Sequence, residues 1–457
     1  MTAATAIPAP ISLGRMLTFS ATSVPIAALI IAITVHMPAY FAASIGVPLT
    51  VVAAAFAICR TIDIPVEPAL GLLMDRTRGR FGRYRLWTVL GAPLMMFGLY
   101  MLLQAGPGVG QTYLIGWLMV MYLGQSILIL SHAAWASTLA TTYNARARIY
   151  GMMAGVGVLG SLSVLTLPIV MGARGASDGE GVRAMIWYII ALTPIAVGLV
   201  VSRTPETIAP EPQGHKFRLR DYLELITHPS MARILLADLC LTLGPGWTAA
   251  LFLFFSRDKM LFTTGQANLL LGVYILAGLF GAPAAGALAT KIGKHRTAML
   301  ASAVYSAGMA SLLFLPPGNV WASVPTNFIN GFVAAGFGAL IRAMVADVAD
   351  DIRLKQGKER SGVLFSLITS TSKVGLAAAI AITYPLLERI GYAPKLGHAN
   401  SPEAIHSLAM AFTLGPIFFL ALGAFCFIGY KLTAEHATET RRLLAERDAA
   451  LAASGAT

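Results

Sequence analysis

Residues 59–68 read Cys-Arg-Thr-Ile-Asp-Ile-Pro-Val-Glu-Pro and lie inside an apolar run that extends from Val47 to Met74. Three ionisable side chains, Arg60, Asp63 and Glu67, therefore interrupt a stretch that is otherwise typical of a membrane-spanning helix. Helical spacing places all three on one face. A charged side chain at a bilayer centre costs roughly 2.5–3.5 kcal/mol even on insertion scales, so such groups face a partner or a water-filled cavity. We expect this helix to line the functional site.

The two carboxyl groups predict cation chemistry. Asp63 and Glu67 are four positions apart, and two carboxylates in one low-dielectric site do not easily both ionise. At least one should bind a proton or a metal cation, which is the chemistry of an ion-coupled carrier. We assign both as cation-binding residues and place Arg60 in their charge network. The alternative is a structural salt bridge to Arg60.

Composition identifies the class of protein. The chain has 457 residues, of which 56% are hydrophobic and 12% are charged, whereas soluble domains have about 25% charged residues. About twelve apolar runs reach the ~20 residues that a bilayer demands. We expect an all-α polytopic membrane protein embedded in the lipid bilayer. The net charge of +12 then follows from membrane topology and does not indicate nucleic-acid binding.

Lys and Arg concentrate in alternate loops and in the two tails, which predicts that both termini are cytoplasmic. The expected location is a bacterial inner membrane. We predict an N-terminal six-helix bundle over residues 1–201, a cytoplasmic linker over 202–229, a C-terminal six-helix bundle over 230–432 and a cytoplasmic tail over 433–457. The tail has a helix-forming composition.

The two predicted halves share a short pattern. Gly71-x3-Asp75-Arg76 follows the second span, and Gly286-x3-Thr290-Lys291 follows the eighth span, about half a chain later. Such an offset is typical of carriers built from two related halves. We expect the first span, near Leu17–Ala43, to be one helix. Charged loops are expected at Asn144–Arg148 and, after the tenth span, at Ala349–Glu359.

Further charged residues lie within apolar runs. Lys373 is in the eleventh span and Asp238 is in the seventh. We assign both to a coupling and charge network with Arg60, since an intramembrane charge needs a partner. For Lys373 the alternative is a side chain that reaches the cytoplasmic surface. For Asp238 it is a structural pair at the cytoplasmic end.

Several residues near the loops suggest a cytoplasmic gate. Asp75 would accept hydrogen bonds from a neighbouring helix N-terminus when the cytoplasmic side is closed, with Arg76 beside it. Asp347, Asp350 and Arg360 would form the matching contact in the other half. The alternative for the arginines is that they serve only as topology anchors.

The sequence resembles a known family at these positions. Gly71-x3-Asp75-Arg76 is similar to the loop signature of the major facilitator superfamily. Asp63-x3-Glu67-Pro68-x2-Gly71 followed by Gly82-Arg83-Tyr84-Arg85-Leu86-Trp87 resembles its glycoside–pentoside–hexuronide:cation symporter family. A second match comprises Ala346-Asp347-Val348-Ala349-Asp350, Gly357-x2-Arg360-x-Gly362, Phe365-Ser366-Leu367 and Lys373-Val374-Gly375. The resemblance implies a major facilitator fold with twelve transmembrane helices in two six-helix bundles.

The resemblance also implies residue roles. Asp63 and Glu67 match the acidic cation site on the second helix, with Glu in place of the family's second Asp. The asparagine that usually precedes the second acid is Val66 here, which removes a sodium ligand and favours H⁺, with Na⁺ as the alternative. Lys373 matches the lysine of the eleventh helix. The acids that bind galactosides on helices 1 and 4 are missing.

A solute pocket is expected around the fourth and seventh spans. Ser131 stands where the family carries a sugar-binding acid, and Trp135 matches a family tryptophan. His132 and Trp247 are the other candidates, because aromatic faces commonly pack on ligand rings. The alternative for each aromatic residue is ordinary helix packing.

We therefore expect a secondary active transporter that couples a sugar or glycoside-like small solute to H⁺ by alternating access. The alternative is an uncoupled facilitator or a lysophospholipid-type carrier of the same fold. No cofactor is implied, and a monomer is expected. The sequence predicts no enzyme, because Gly155–Gly160, which fits a dinucleotide fingerprint, lies inside an apolar span without a preceding strand.

Overall fold

The computed structural model of the protein describes residues 12–77, 81–139, 143–206, 227, 229–356, 361–430 and 434–454. Within these residues, twelve helices are long and apolar enough to cross a membrane. The predicted all-α polytopic class is confirmed. Within the predicted linker, the composition of residues 219–226 predicts an amphipathic helix, and this segment lies outside the described residues.

The chain divides into two compact units. The first unit comprises Met1–Tyr40, Ser44–Val47 and Thr61–Gln213. The second comprises Phe41–Ala43, Pro48–Arg60 and Gly214–Thr457. The division at Gly214 falls within the stretch that the sequence analysis treats as a linker.

Eight helices precede this division among the described residues. They are α1 (Leu13–Ser20), α2 (Ser23–Ile31), α3 (Met37–Ala39), α4 (Leu49–Arg76), α5 (Tyr84–Leu103), α6 (Gln111–Leu139), α7 (Tyr143–Ala173) and α8 (Asp178–Arg203). The expected loop at Asn144–Arg148 was wrong, because these residues form the first turns of α7. Apolar side chains continue along that helix, so its amino-terminal turns extend the helix beyond the span.

The first span is not one regular helix, contrary to expectation. Two π-helical segments, Ala32–His36 and Tyr40–Ile45, interrupt it on either side of the short α3. Pro38 lies between them and has no backbone N–H to donate, which disfavours a continuous α-helical hydrogen-bond ladder. In contrast, α4 runs continuously through Pro65 and Pro68 to Arg76. Asp75 and Arg76 therefore belong to the helix and not to the loop after it.

Glycine allows α5 and α6 to pack with their backbones in contact. A Cβ atom at Gly124 of α6 would overlap the backbone of Met95 in α5. A Cβ atom at Gly98 would lie 2.6 Å from the backbone nitrogen of Met121. Small residues give membrane helices this close approach, which dispersion forces then stabilise.

The interior of the first unit is a cluster of buried apolar side chains. Its largest members are Phe19, Tyr84 and Trp135, and the indole of Trp135 is completely buried. Val66 of α4 packs against the same cluster. The face of α4 that carries Val66 therefore joins the apolar core.

Seven further helices follow the division among the described residues. They are α9 (Pro229–Phe254), α10 (Thr264–Ile292), α11 (Lys294–Ser311), α12 (Val320–Gln356), α13 (Ser361–Arg389), α14 (Pro402–Phe425) and α15 (Ala434–Ser454). The predicted helical tail is confirmed by α15. The loop expected from Ala349 was wrong, because α12 continues for two more turns to Gln356. Pairing of Asp351 with Lys355 at 2.8 Å, one turn apart, supports this extension.

The tail helix α15 docks on the end of α12. His436 Nε2 lies 3.2 Å from the Asp351 carboxylate, and Arg447 donates to the Arg353 carbonyl oxygen at 2.9 Å. Between them, Ala437 and Leu444 are buried. The tail helix thus covers the charged end of α12 and donates to the carbonyl groups of Arg353 and Leu354 in its last turn.

A polar network fixes the loop between α13 and α14 to the π-helical segment Phe255–Lys259, which directly follows α9. Arg257 pairs with Asp258 at 2.6 Å and donates to the Pro394 carbonyl oxygen at 2.9 Å. The Tyr392 hydroxyl donates to the buried Asp258 carboxylate. Burial and the neighbouring Asp258 carboxylate raise the pKa of Tyr392 well above its usual range, so the hydroxyl stays protonated and remains a donor.

Replacing Gly124 by Ala should destabilise the first unit. The added Cβ overlaps the Met95 backbone, and overpacking of this kind costs about 1–3 kcal/mol. The matched control is Gly116→Ala in the same helix, where a Cβ would meet open space. The control should be neutral or slightly stabilising, because alanine favours helix over glycine. Thermal unfolding of both purified variants in detergent measures the difference, and equal effects would contradict the close α5–α6 packing.

Tyr392→Phe should lower the free energy of unfolding by about 1.5–3 kcal/mol, which is the usual contribution of a hydrogen bond to a charged group. The reason is that the buried Asp258 carboxylate loses a donor. Tyr100→Phe is the control, because Tyr100 is 41% exposed. The unfolding temperatures of the two variants at neutral pH are compared. If Tyr392→Phe is destabilised no more than Tyr100→Phe, the hydrogen bond to Asp258 does not stabilise the protein.

Candidate functional site

Asp63 lies near the middle of α4 and is 5% exposed. The Ser126 hydroxyl of α6 donates a hydrogen bond to its carboxylate at 2.8 Å, and both residues belong to the first unit. Ser126 is itself buried. Because a buried carboxylate is costly without partners, this bond compensates part of the desolvation. It also fixes the position of the carboxylate relative to α6.

Glu67 is one turn beyond Asp63 in the same continuous helix, and it is half-buried. The two carboxyl groups and the Ser126 hydroxyl supply hard oxygen ligands, which suit a proton or a small hard cation. The described residues contain no group of three or more His, Cys, Asp or Glu side chains arranged to hold a metal ion. Arg60 lies one turn before Asp63 in α4 and is also half-buried.

The second unit holds a buried carboxylate of its own. Asp238 of α9 is 3% exposed and accepts a hydrogen bond from the Ser372 hydroxyl of α13 at 2.9 Å. Arg342 of α12 interacts electrostatically with it. Lys373 follows Ser372 directly and is half-buried. Three helices of this unit thus bring opposite charges together around Asp238.

Three residues that interact with the buried aspartates Asp63 and Asp238 were not predicted from the sequence. Ser126 and Ser372 carry no signal of their own, because a serine in an apolar helix commonly bonds its own backbone. Arg342 did leave a signal, namely a single arginine inside the apolar run of α12. That signal alone would have justified adding it to the charge network.

Ser131 and His132, predicted as solute-pocket residues, lie in the interior of the first unit. The Ser131 hydroxyl lies 2.9 Å from that of Thr88 in α5. His132 Nε2 donates to the Phe19 carbonyl oxygen at 2.9 Å, and the two rings are 4.6 Å apart. Both side chains are at most 1% exposed.

The two predicted tryptophans each donate to a backbone carbonyl. Trp135 Nε1 lies 3.4 Å from the Pro205 carbonyl oxygen in the first unit. Trp247 Nε1 lies 2.9 Å from that of Ala411 in the second unit. A Cβ at Gly415 of α14 would overlap the Trp247 ring, so this glycine makes room for it. Both indoles are thereby held in fixed orientations.

The predicted gate residues are placed as follows. Asp347 is buried and pairs with Lys294 at 2.5 Å, and Asp350 is half-buried on the same helix. Asp75 and Arg76 occupy the last turn of α4, and their side chains lie outside the description, as does the whole of Arg360.

Glu206, which the sequence analysis overlooked, binds a helix N-terminus in the first unit. Its carboxylate accepts hydrogen bonds from the backbone N–H groups of Arg83, Tyr84 and Arg85 at 2.9, 2.6 and 3.1 Å. These amides begin α5, where donors are unsatisfied and the helix dipole favours an anion. Gly82 has a positive φ of 92°, and a Cβ there would overlap the carboxylate. That fit explains the glycine in the Gly82–Trp87 motif.

A cavity of about 70 Å³ lies inside the second unit, between α9, α10, α11, α12 and α14. Its walls combine aromatic rings with hydroxyl and amide groups, and the Tyr305 hydroxyl donates to Thr248 at 3.2 Å. A cavity of this size holds several ordered waters. None of the four predicted solute-pocket residues lines it.

Known proteins match the chain along most of its length. The family model described as MFS/sugar transport protein matches residues 18–434. The isoprimeverose transporter of Lactiplantibacillus pentosus is 23% identical over 419 residues, which are 88% of this chain and 85% of that protein. The sodium-dependent lysophosphatidylcholine symporter 1-B of Danio rerio is 21% identical over 436 residues, 85% of this chain and 81% of that protein.

Solved structures share the fold. The crystal structure of the nucleoside transporter NupG covers 92% of this chain and 99% of its own, with a TM-score of 0.70 and 11% sequence identity. The similarity supports the predicted major facilitator architecture and, at this identity, concerns the fold alone. The role follows from the family match across residues 18–434 and from the transporter relatives: the protein is a membrane transporter of small solutes and not an enzyme. The chain belongs to the MFS/sugar transport protein family, as its Asp63–Gly71 and Gly82–Trp87 motifs predicted.

Proposed function

We propose that the protein couples the transport of a sugar or glycoside-like solute to the movement of H⁺ by alternating access. The observation that carries the proposal is Asp63, a buried carboxylate in a membrane-spanning helix with a hydroxyl donor at 2.8 Å and a second carboxyl group one turn away. Intramembrane acids are costly to keep and typically mark ion paths. Sugar as the solute class is supported by the isoprimeverose transporter and by the family description.

The choice of H⁺ rests on the chemistry around Glu67. A sodium ion needs several oxygen ligands, whereas a proton needs one carboxylate oxygen. Val66 supplies no oxygen, and its side chain packs in the apolar cluster of the first unit. The neighbouring position therefore contributes packing and not coordination, which favours the proton.

Coupling follows from linkage. A cation that binds Asp63 or Glu67 more tightly in one conformation shifts the population toward it, and solute binding changes by the same factor. The second unit contributes a charge network of its own, formed by Asp238 with Ser372 and Arg342, with Lys373 beside Ser372. The proposed setting is a bacterial inner membrane, with both termini in the cytoplasm and the protein as a monomer.

A second candidate is a lysophospholipid carrier of the same fold. It is favoured by one observation, the match to the sodium-dependent lysophosphatidylcholine symporter over 85% of this chain. An uncoupled facilitator is the third possibility. In that case the acidic residues of α4 would be structural.

Purified protein in proteoliposomes tests the function. We expect isoprimeverose or a related glycoside to accumulate when a pH gradient is imposed, up to about tenfold for one pH unit and one proton per solute. A protonophore should reduce the ratio to one, and a sodium gradient alone should not support accumulation. Accumulation of lysophosphatidylcholine instead would favour the second candidate, and solute ratios that never exceed one would identify a facilitator.

Glu67→Gln and Asp63→Asn should each abolish accumulation while leaving solute exchange across the membrane, because the neutral side chain no longer loads a proton. Glu388→Gln is the control, since this exposed acid lies at the end of α13. Radiolabelled uptake with and without the gradient measures both variants. If Glu67→Gln and Asp63→Asn accumulate solute like the control, the coupling site lies elsewhere.

A further inference from the structure

An apolar groove of about 390 Å³ lies on the second unit between α10, α11 and α12. We infer that it binds an anionic phospholipid of the bilayer, with an acyl chain in the groove and the phosphate at the turn between α10 and α11. The volume falls in the range of about 300–1,000 Å³ that is typical of ligand pockets. The inference is independent of the transported solute.

The groove lining selects a hydrocarbon chain. Its walls are built by Leu288, Leu300, Val304, Phe328 and Ile329 together with alanines and a glycine. Thr297 is its only lining residue with a polar side chain, and its hydroxyl already donates to the Gly293 carbonyl oxygen at 2.9 Å. A sugar or a row of waters would find only the acceptor lone pairs of this one hydroxyl among the lining side chains that the structure describes, whereas an acyl chain needs no hydrogen-bond partner.

The groove is open to the surroundings of the helices. Leu300 is 48% exposed, and Phe328 and Ile329 are similarly exposed. All three helices are long and apolar enough to cross the membrane. The medium beside the groove is therefore lipid, which identifies the source of the chain.

Two basic residues at one end of the groove give the site its preference for an anionic lipid headgroup. Lys291 is three positions beyond Leu288, so it lies on the groove face of α10, about 4.5 Å further along the axis. Arg296 precedes Leu300 by one turn on the groove face of α11. Both side chains are exposed at the same end of the groove. Between them, Lys294 is engaged by Asp347 at 2.5 Å, so among the described residues of this turn Lys291 and Arg296 are the lysine and arginine side chains that a phosphate would meet.

Native mass spectrometry tests the site. The protein is equilibrated with equal amounts of phosphatidylglycerol and phosphatidylcholine of identical chains, and the bound lipids are counted. We expect the wild type to retain phosphatidylglycerol preferentially. The double variant Lys291→Gln/Arg296→Gln should lower this preference roughly fivefold for each charge removed, while phosphatidylcholine still binds.

The control is Arg389→Gln/Lys395→Gln, which removes the same charge from exposed positions away from the groove. It should keep the wild-type preference. Ala284→Phe fills the groove and should reduce retention of both lipids. The site is refuted if the Lys291/Arg296 variant keeps the wild-type preference or if the control loses as much. These charge variants decide the matter even if Ala284→Phe fails to fold.

Discussion

The structure depends on how charge is accommodated inside helices that cross a membrane. In each unit, a buried aspartate accepts a hydrogen bond from a serine on a neighbouring helix: Asp63 from Ser126, and Asp238 from Ser372. One hydroxyl compensates only part of the cost of burying a carboxylate. Each of these hydrogen bonds also joins the helix that carries the aspartate to a neighbouring helix of the same unit.

The first unit is closely packed around its buried polar groups. Close backbone contact between α5 and α6 through Gly124, and the cluster around Trp135, supply dispersion forces that lipid cannot match. Histidine and tryptophan side chains in this interior donate to backbone carbonyls. These hydrogen bonds to the backbone fix the orientation of the His132 and Trp135 side chains.

The fold class and the presence of a buried acid in the second span could be predicted from the sequence, because both follow from hydropathy. Twelve apolar runs require twelve spans, and Asp63 and Glu67 stand out since acids are rare in such runs. The irregular first span and the length of α12 could not be predicted, because hydropathy does not distinguish a π-segment from an α-helix and does not record where a charged helix ends. Ser126 and Ser372 were missed since their partners lie 63 and 134 residues away.

The contact of Glu206 with the beginning of α5 has a consequence for biogenesis. The acceptor lies 121 to 123 residues after the amides that it binds. During synthesis, the third span enters the bilayer long before this carboxylate has left the ribosome. Its amino-terminal amides must remain hydrated at the membrane surface until the sixth span is inserted. The hydrogen bonds of Glu206 can therefore form only after the last helix of the first unit has been synthesised. The amino-terminal end of α5 reaches its final structure at that late stage.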